Sequence, residues 1–142
     1  MSISAWLKEH DEPKAHATHS SPEEVLGLLR DHGKTTLVLD LRNDREKKFL
    51  KNSVHIPATT LTGYRNLKQE IVEPLLSENI ALETIVVHCN SSKTRAPKVA
   101  GWLEDYIEEN DSGLKVTVLD GGITQWLELG DPYTKYLEEH ED

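Results

Sequence analysis

The chain has 142 residues, with 16 Lys and Arg against 25 Asp and Glu, which gives a formal net charge of −9 at pH 7. A length of this order fits a single domain with its own core. The acidic balance disfavours partners such as nucleic acid or an anionic membrane, because their phosphates would repel the chain. Its one cysteine, Cys89, excludes an internal disulfide, an iron–sulfur cluster and a cysteine zinc site, and we expect no bound metal.

The chain also lacks the patterns of membrane and secreted proteins. No stretch of the sequence reaches the roughly 20 apolar residues that span a bilayer. The first residues show no basic stretch followed by a long apolar run, so we expect no secretory signal. These features predict a cytoplasmic protein, small enough to enter the nucleus as well. Residues 1–19 predict a loose N-terminal arm in which Trp6 and Leu7 dock, and residues 20–142 predict one catalytic domain.

The first half of the domain predicts a helix and two strands. The capping box Ser21-Pro22-Glu23-Glu24 begins an amphipathic helix that ends near Gly33. An apolar run at 36–41 predicts a buried strand. The charged segment 42–51 predicts a helical turn, and residues 54–57 predict a second, short strand.

The second half continues the alternation of helices and strands. Apolar residues recur at helical spacing over residues 67–75 and predict a helix that Pro74 kinks or divides. Four further elements follow: a strand at 84–88, a helix from Pro97, a strand at 116–119 and a short helix at 123–129. The tail from Asp131 is expected to pack back through its tyrosines. The alternation predicts an α/β fold with a mostly parallel sheet of about five strands and helices on both faces.

The segment that follows the strand at 84–88 carries the candidate chemistry. Five small or polar residues separate Cys89 from Arg95, namely Asn90, Ser91, Ser92, Lys93 and Thr94. In parallel sheets, ligands bind at the carboxyl ends of the strands, where Cys89 lies. The loop amides, the start of the next helix and the Arg95 guanidinium can all bind one tetrahedral oxyanion. The same positive groups favour the Cys89 thiolate, which can attack the central atom of that oxyanion.

The remaining polar residues have structural alternatives. A lone cysteine at a strand end is often a small core residue. His88 and Cys89 point to opposite faces because they are neighbours on a strand, so we expect His88 to brace the loop from the core side. Asp40 and Arg42 are expected to be structural at their strand end. Lys93 can add positive charge or be solvated, and Ser92 can bind the anion or brace the loop.

Three stretches of the sequence resemble a rhodanese-fold domain. They are Leu39-Asp40-Leu41-Arg42 with the later Ile56-Pro57, then residues 88–100, and then Gly121-Gly122 with Trp126. More narrowly, the chain resembles the branch that holds the cell-cycle dual-specificity phosphatases and the fungal-type arsenate reductases. The resemblance implies a rhodanese-like α/β fold, with catalytic Cys89 and Arg95 in an oxyanion-binding loop, residues 90–95.

The content of the loop separates the members of this branch. Its phosphatases carry acidic residues directly after the cysteine and directly before the arginine, where this chain has Asn90 and Thr94. Its arsenate reductases carry a Ser-Lys pair before the arginine and Pro-Lys-Val-Ala after it, as in Ser92-Lys93 and residues 97–100 here. The resemblance therefore implies an arsenate reductase that binds no cofactor. Because the chain has no second cysteine, the reductant is external, and the resemblance suggests glutathione and glutaredoxin.

Three alternatives stay open from the sequence. One is a protein tyrosine or dual-specificity phosphatase that acts on a phosphoprotein through a phosphocysteine. Another is a rhodanese-type sulfurtransferase, which the loop length disfavours because sulfurtransferases have a shorter loop. The last is a non-catalytic module that docks a phosphate, although such a module has no need of the thiol.

Overall fold

The computed structural model describes residues 2–44, 48–78 and 81–139. Within these ranges there are five α-helices: α1 (Ile3–Glu9), α2 (Pro22–Asp31), α3 (Glu73–Glu78), α4 (Arg95–Asn110) and α5 (Gly122–Glu128). The same ranges contain seven strands: β1 (Thr18–Ser20), β2 (Thr36–Asp40), β3 (Lys48–Leu50), β4 (Ser53–His55), β5 (Thr84–His88), β6 (Lys115–Leu119) and β7 (Leu137–Glu139).

The central sheet is parallel and has five strands in the order β1-β6-β5-β2-β4, so β5 is the middle strand. Alternate residues of each strand feed two different cores. Leu39, Val87 and Val118 join one core with residues of α3 and α4. Val38 and Val86 join the other with residues of α2 and α5. The predicted fold class, with helices on both faces of a parallel sheet, is confirmed.

The N-terminal segment is not a loose arm, and this part of the prediction is wrong. Residues 3–9 form α1, whose first turn is capped by the Ser2 side chain, and residues 18–20 add an edge strand to the sheet. Trp6 is fully buried, and its indole N–H donates a hydrogen bond of 2.8 Å to the carbonyl of Leu61. Its ring meets that of Trp102 edge-on, with centroids 5.6 Å apart. Trp6 therefore docks as expected, and α1 and β1 show that the rest of this segment is ordered as well.

Two other segments also differ from the sequence prediction. Residues 48–50, predicted as part of a helical turn, form β3, which pairs antiparallel with β7 of the tail. The charged composition of this segment does not indicate a strand. Its pairing could not be predicted locally, because the partner strand β7 lies far along the chain. The predicted third helix is divided just before Pro74: a π-helix at Lys68–Val72 leads directly into α3, whose second residue is Pro74. Proline has no N–H and its ring crowds the carbonyl four residues earlier, so the backbone widens there.

The described residues also bear on membrane and metal binding. None of their helices combines the length and apolar composition that a membrane crossing requires. Across the same ranges, no three His, Cys, Asp or Glu side chains come together in a group suited to a metal ion.

The burial of Trp6 leads to a stability prediction. Replacing Trp6 with Ala removes a fully buried ring and its hydrogen bond, and should lower the free energy of unfolding by about 3–5 kcal/mol. Leu127, which is 39% exposed, is the control, and Leu127→Ala should change stability far less. Urea unfolding followed by circular dichroism measures both. Equal stability of Trp6→Ala and the wild type would mean that the segment does not pack on the domain in solution.

Candidate active site

The candidate nucleophile follows the middle strand of the sheet. Cys89 comes directly after β5, at the carboxyl edge where β2 and β6 also end. Its side chain is 1% exposed and belongs to the core that contains Leu39 and Val87. The thiol therefore lies at the bottom of the loop, and a reacting atom must enter the loop to reach it.

The loop closes over this position through one strained residue. Ser92 has a φ of 60°, a left-handed conformation that is uncommon for a residue with a β-carbon. It is buried, whereas Asn90, Ser91, Lys93 and Thr94 are exposed. The hydroxyl oxygen of Ser92 accepts a long, 3.5 Å hydrogen bond from the amide of Cys89. This contact supports a loop-bracing role for Ser92.

The start of α5 holds the loop from behind. The amides of Ile123 and Thr124 donate hydrogen bonds of 3.2 and 3.0 Å to the carbonyls of Cys89 and Asn90. The C=O and N–H of a trans peptide point in opposite directions. Because these two carbonyls face α5, the amides of Asn90 and Ser91 point away from it. The arrangement therefore frees two N–H groups to bind an anion on the other side of the loop.

Gly122 lets α5 come this close. A β-carbon at Gly122 would lie 2.3 Å from the carbonyl oxygen of Asn90 and 2.6 Å from that of Cys89. Gly122 also has a φ of 60°, where residues with a β-carbon are strained. The Gly121-Gly122 pair in the sequence thus has a physical function, which is to place two backbone donors against the loop.

Arg95 is the first residue of α4 and is 6% exposed. Its Nε has no hydrogen-bond partner among the residues that the structure describes. Thr94, at the N-cap of α4, makes no side-chain capping bond, so the first amides of this 16-residue helix are not satisfied by their own cap. Arg95 is thus a buried cation in the first turn of an uncapped helix, and both features favour the binding of an oxyanion.

A buried ion pair lies at the edge of β2. The guanidinium of Arg42 donates hydrogen bonds of 2.9–3.2 Å to the carboxylate of Asp40, and another of 3.0 Å to the carbonyl of Lys48. The side chains of Arg42 and Asp40 are 2% and 0% exposed. In the strand register, Asp40 lies opposite His88 on β5. His88 is fully buried, and its Nδ1 is 3.1 Å from the carbonyl oxygen of Cys89. The geometry therefore supports the predicted structural function of all three residues.

Charge around Asp40 keeps its carboxylate ionised. Burial alone would raise the pKa of Asp40, but the hydrogen bonds from Arg42 and the electrostatic interactions with His88 and Arg42 outweigh it and hold the pKa below its ordinary 3.8. The pair therefore stays ionised at neutral pH.

Lys98, in the motif formed by residues 97–100, has a structural function that the sequence alone did not predict. Its side chain is 2% exposed, and its ammonium contacts the N-terminal segment. The only available signal was its position three residues after Arg95, which predicts the neighbouring turn of the same helix. Its partners, which lie about 90 residues away, had no sequence signal.

With this geometry established, comparison with known proteins gives the class. Residues 21–129 match the model of the rhodanese-like domain family, so the chain belongs to that family. The chain is 32% identical over 109 residues to arsenical-resistance protein 2 of Saccharomyces cerevisiae, covering 72% of this chain and 82% of the yeast protein. It is 28% identical over 118 residues to arsenate reductase 2.1 of Oryza sativa subsp. japonica, covering 81% and 70% of the two chains.

Two solved structures are similar in fold. The As-Sb reductase from Leishmania major has a TM-score of 0.72 and 26% sequence identity, covering 89% of this chain and 88% of that chain. A yeast protein tyrosine phosphatase of the rhodanese family has a TM-score of 0.65 and 21% identity, covering 89% and 95%. The second likeness shows the shared fold.

The contact of α5 with the loop predicts a sharp effect at Gly122. Gly122→Ala should push the carbonyls of Cys89 and Asn90 away from α5. The same peptide groups then turn the amides of Asn90 and Ser91, which should lower the affinity of the loop for oxyanions by at least about tenfold. Gly113→Ala is the control, because Gly113 also has a positive φ, of 77°, but no atom within 4 Å of the added carbon. Titration with phosphate or arsenate, followed by NMR shifts of the loop amides, measures the affinity. Equal weakening in both variants would mean that backbone strain alone is responsible.

The buried ion pair predicts a non-additive loss of stability. Arg42→Met leaves the Asp40 carboxylate buried without its cation, and should cost about 3–5 kcal/mol of unfolding free energy. The double variant Asp40→Asn with Arg42→Met should be more stable than Arg42→Met alone, since no charge stays unpaired. Urea unfolding of the four proteins forms a double-mutant cycle. Additive losses would contradict a direct coupling.

Acid unfolding gives an independent check on Asp40. Because the pKa of Asp40 is lowered in the folded state, its stabilising contribution is fully present above the ordinary value of 3.8. It is lost as the pH falls toward the lowered value, since the unfolded chain takes up the proton first. Asp40→Asn should therefore lose less stability than the wild type between neutral pH and that acid range. Parallel pH profiles of the two proteins would contradict this.

Proposed function

We propose that this protein is an arsenate reductase in which Cys89 is the nucleophile and Arg95 binds the oxyanion. The observation that carries the proposal is the buried Arg95, whose Nε has no partner among the described residues, in the uncapped first turn of the helix that follows the Cys89 loop. Two relatives that are named for arsenical resistance or arsenate reduction, and the Leishmania As-Sb reductase structure, support the choice of arsenate.

The first step forms a bond between sulfur and arsenic. The Cys89 thiolate attacks the arsenic of bound arsenate, one As–O bond breaks, and the oxygen leaves as water after it takes up protons. Arsenic stays pentavalent in this step. Arg95, the amides of Asn90 and Ser91 and the start of α4 stabilise the negative charge on the remaining oxygens. Lys93, which is exposed on the loop, adds positive charge at its rim.

The second step transfers electrons from an external thiol, because the chain has no other cysteine. A small thiol attacks the Cys89 sulfur, a disulfide bond forms, and the electron pair of the S–As bond stays on arsenic, which leaves as arsenite. A second thiol then attacks the mixed disulfide and restores the Cys89 thiolate. In sum, one arsenate and two thiols give arsenite, one disulfide and water. We propose glutathione as this thiol and glutaredoxin as the protein that resolves the mixed disulfide.

The loop content favours arsenate over a phosphate ester. Hydrolysis of an ester needs an acid to protonate the leaving alkoxide. Asn90 and Thr94 occupy the two loop positions next to Cys89 and Arg95, and neither can supply a proton as a carboxylic acid does. Arsenate reduction has no alkoxide leaving group. A recycled thiol also needs a reducing compartment, which supports a cytoplasmic location.

The proposal predicts Cys89-dependent formation of arsenite. Purified protein with arsenate, glutathione and glutaredoxin should release arsenite, which can be separated and quantified by chromatography with mass spectrometry. Cys89→Ser should reduce the rate to background, because a hydroxyl can neither attack arsenic well nor form the disulfide. Arg95→Lys should reduce the rate by about 10²–10³-fold, because one charge-assisted, bidentate contact is lost.

A parallel assay with a generic aryl phosphate identifies the main alternative. Release of phosphate that depends on Cys89, without arsenite, would overturn the proposal in favour of a phosphatase. Correct folding of each variant is confirmed by circular dichroism before the rates are compared.

A further inference from the structure

One face of α4 contacts the N-terminal segment. Lys98, Gly101, Trp102 and Asp105 recur at the spacing of a helical stripe, and each contacts residues 7–15. A β-carbon at Gly101 would lie 2.4 Å from a Pro13 side-chain carbon, so the two backbones are tightly packed. The helix that begins with Arg95 therefore also fixes the N-terminal segment.

Lys98 is the anchor of this contact. Its ammonium donates a 2.7 Å hydrogen bond to the carbonyl of Leu7 and another to that of His10. It lies 5.5 and 5.8 Å from the ring centroids of Trp6 and Trp102, and 3.5 Å from a carboxylate oxygen of Glu12. A buried ammonium needs such compensation. It caps the carbonyl end of α1, where a cation is stabilising.

Beyond the contacts of Lys98, the N-terminal segment continues along α4 and makes further polar contacts with it. The indole N–H of Trp102 donates a 3.0 Å hydrogen bond to the carbonyl of Asp11. The carboxylate of Asp105 accepts hydrogen bonds of 2.9 and 3.0 Å from the amides of Lys14 and Ala15. These contacts fix the backbone of residues 11–15.

The fixed segment forms one wall of a cavity beside the oxyanion loop. The cavity has a volume of about 490 Å³. Leu7, Glu12, Pro13 and His16 of the N-terminal segment line it together with Lys93, Thr94, Pro97 and Lys98. Two of these residues, Lys93 and Thr94, belong to the loop that follows Cys89. The cavity therefore borders this loop, while Cys89 itself is 1% exposed and does not line it.

The charges of the cavity select the class of ligand. Glu12 is the one carboxylate of the lining; its side chain is 78% exposed and lies 3.5 Å from the Lys98 ammonium. Lys93 forms no ion pair with any residue that the structure describes, and its ammonium can bind an anionic group. Leu7, Pro13 and Pro97 supply apolar contact. The lining fits a small organic molecule with an anionic group, although the chain as a whole carries a net charge of −9.

We infer that this cavity binds the external thiol, as a small anionic thiol such as a carboxylate-bearing peptide, and that Lys98 is the positioning residue that holds its outer wall. The inference rests on the proposed function, because a chain with one cysteine must receive its electrons from outside. The bound thiol sulfur attacks the sulfur of the Cys89–arsenic adduct, the disulfide forms, and arsenite leaves with the electron pair.

Lys98→Met tests the positioning function. Methionine retains the apolar contact with both tryptophans but cannot donate to the carbonyls of Leu7 and His10. We expect the KM for glutathione to rise by about tenfold while the KM for arsenate stays unchanged. Lys98→Arg, which keeps a cation and donors, should recover part of the affinity. The exposed Lys135 provides the matched control, Lys135→Met, with both KM values unchanged.

His16→Glu tests the cavity without altering Lys98. A carboxylate on the wall should raise the KM for glutathione by about tenfold and leave the KM for 2-mercaptoethanol, which has no carboxylate, unchanged. An equal change for both thiols, or no change for either, would overturn the inference. A lower kcat in Lys98→Met with both KM values unchanged would also overturn it, since a merely structural lysine would behave in that way.

A readout without arsenate separates this inference from the proposed function. The Cys89 thiolate can attack glutathione disulfide to form a mixed disulfide and release one glutathione, which intact-protein mass spectrometry follows. If the cavity binds the anionic thiol, this reaction should be faster than with the neutral disulfide of 2-mercaptoethanol, and His16→Glu should remove the difference. Absence of arsenite from the wild type would overturn the proposed function, whereas equal rates with the two disulfides would overturn the inference about the cavity.

Discussion

The loop after β5 can present its amides to an anion only while its carbonyls are bound elsewhere. The amides of Ile123 and Thr124 bind the carbonyls of Cys89 and Asn90, and this requires a backbone approach that any side chain at Gly122 would block. The start of α5 lies at the same edge of the sheet as the end of β5 because β5 and β6 are parallel neighbours. The geometry of the loop after Cys89 thus depends on the turn at Gly122, some 30 residues later in the chain, because the parallel topology brings the two segments together.

The three buried cations in and around the site are satisfied to different degrees. Arg42 has the carboxylate of Asp40, and Lys98 has two carbonyls and two aromatic faces. Arg95 is as deeply placed, yet its Nε has no partner in the described residues. A buried guanidinium nitrogen without a partner is costly, so this contrast supports our proposal that a bound anion supplies the missing partner of Arg95.

The sequence predicted the parts of the fold whose signals are local. The capping box at Ser21 and the apolar run of β5 lie where the pattern indicated, because each depends on neighbouring residues. The docking of Trp6 was expected and is observed, but the pairing of β3 with β7 and the ordering of residues 3–20 into α1 and β1 depend on contacts between segments far apart in the chain, and composition misled there. For the site, Cys89 and Arg95 were identified as candidates from the spacing of one loop, and their catalytic roles stay predictions. Lys98 and Gly122 were not, since their partners lie about 90 and 30 residues away.

The helix α4 combines two tasks that a reductase with a single cysteine must combine. Its first turn carries Arg95, for which we propose oxyanion binding, and a stripe on its side holds residues 7–15 beside the same loop. A hydrolase that uses water needs no such wall, because its second reactant is the solvent. An enzyme that takes electrons from an external thiol must place that thiol on a defined side of Cys89. The N-terminal segment, which the sequence predicted to be a loose arm, is therefore where we expect selectivity among thiols to be encoded.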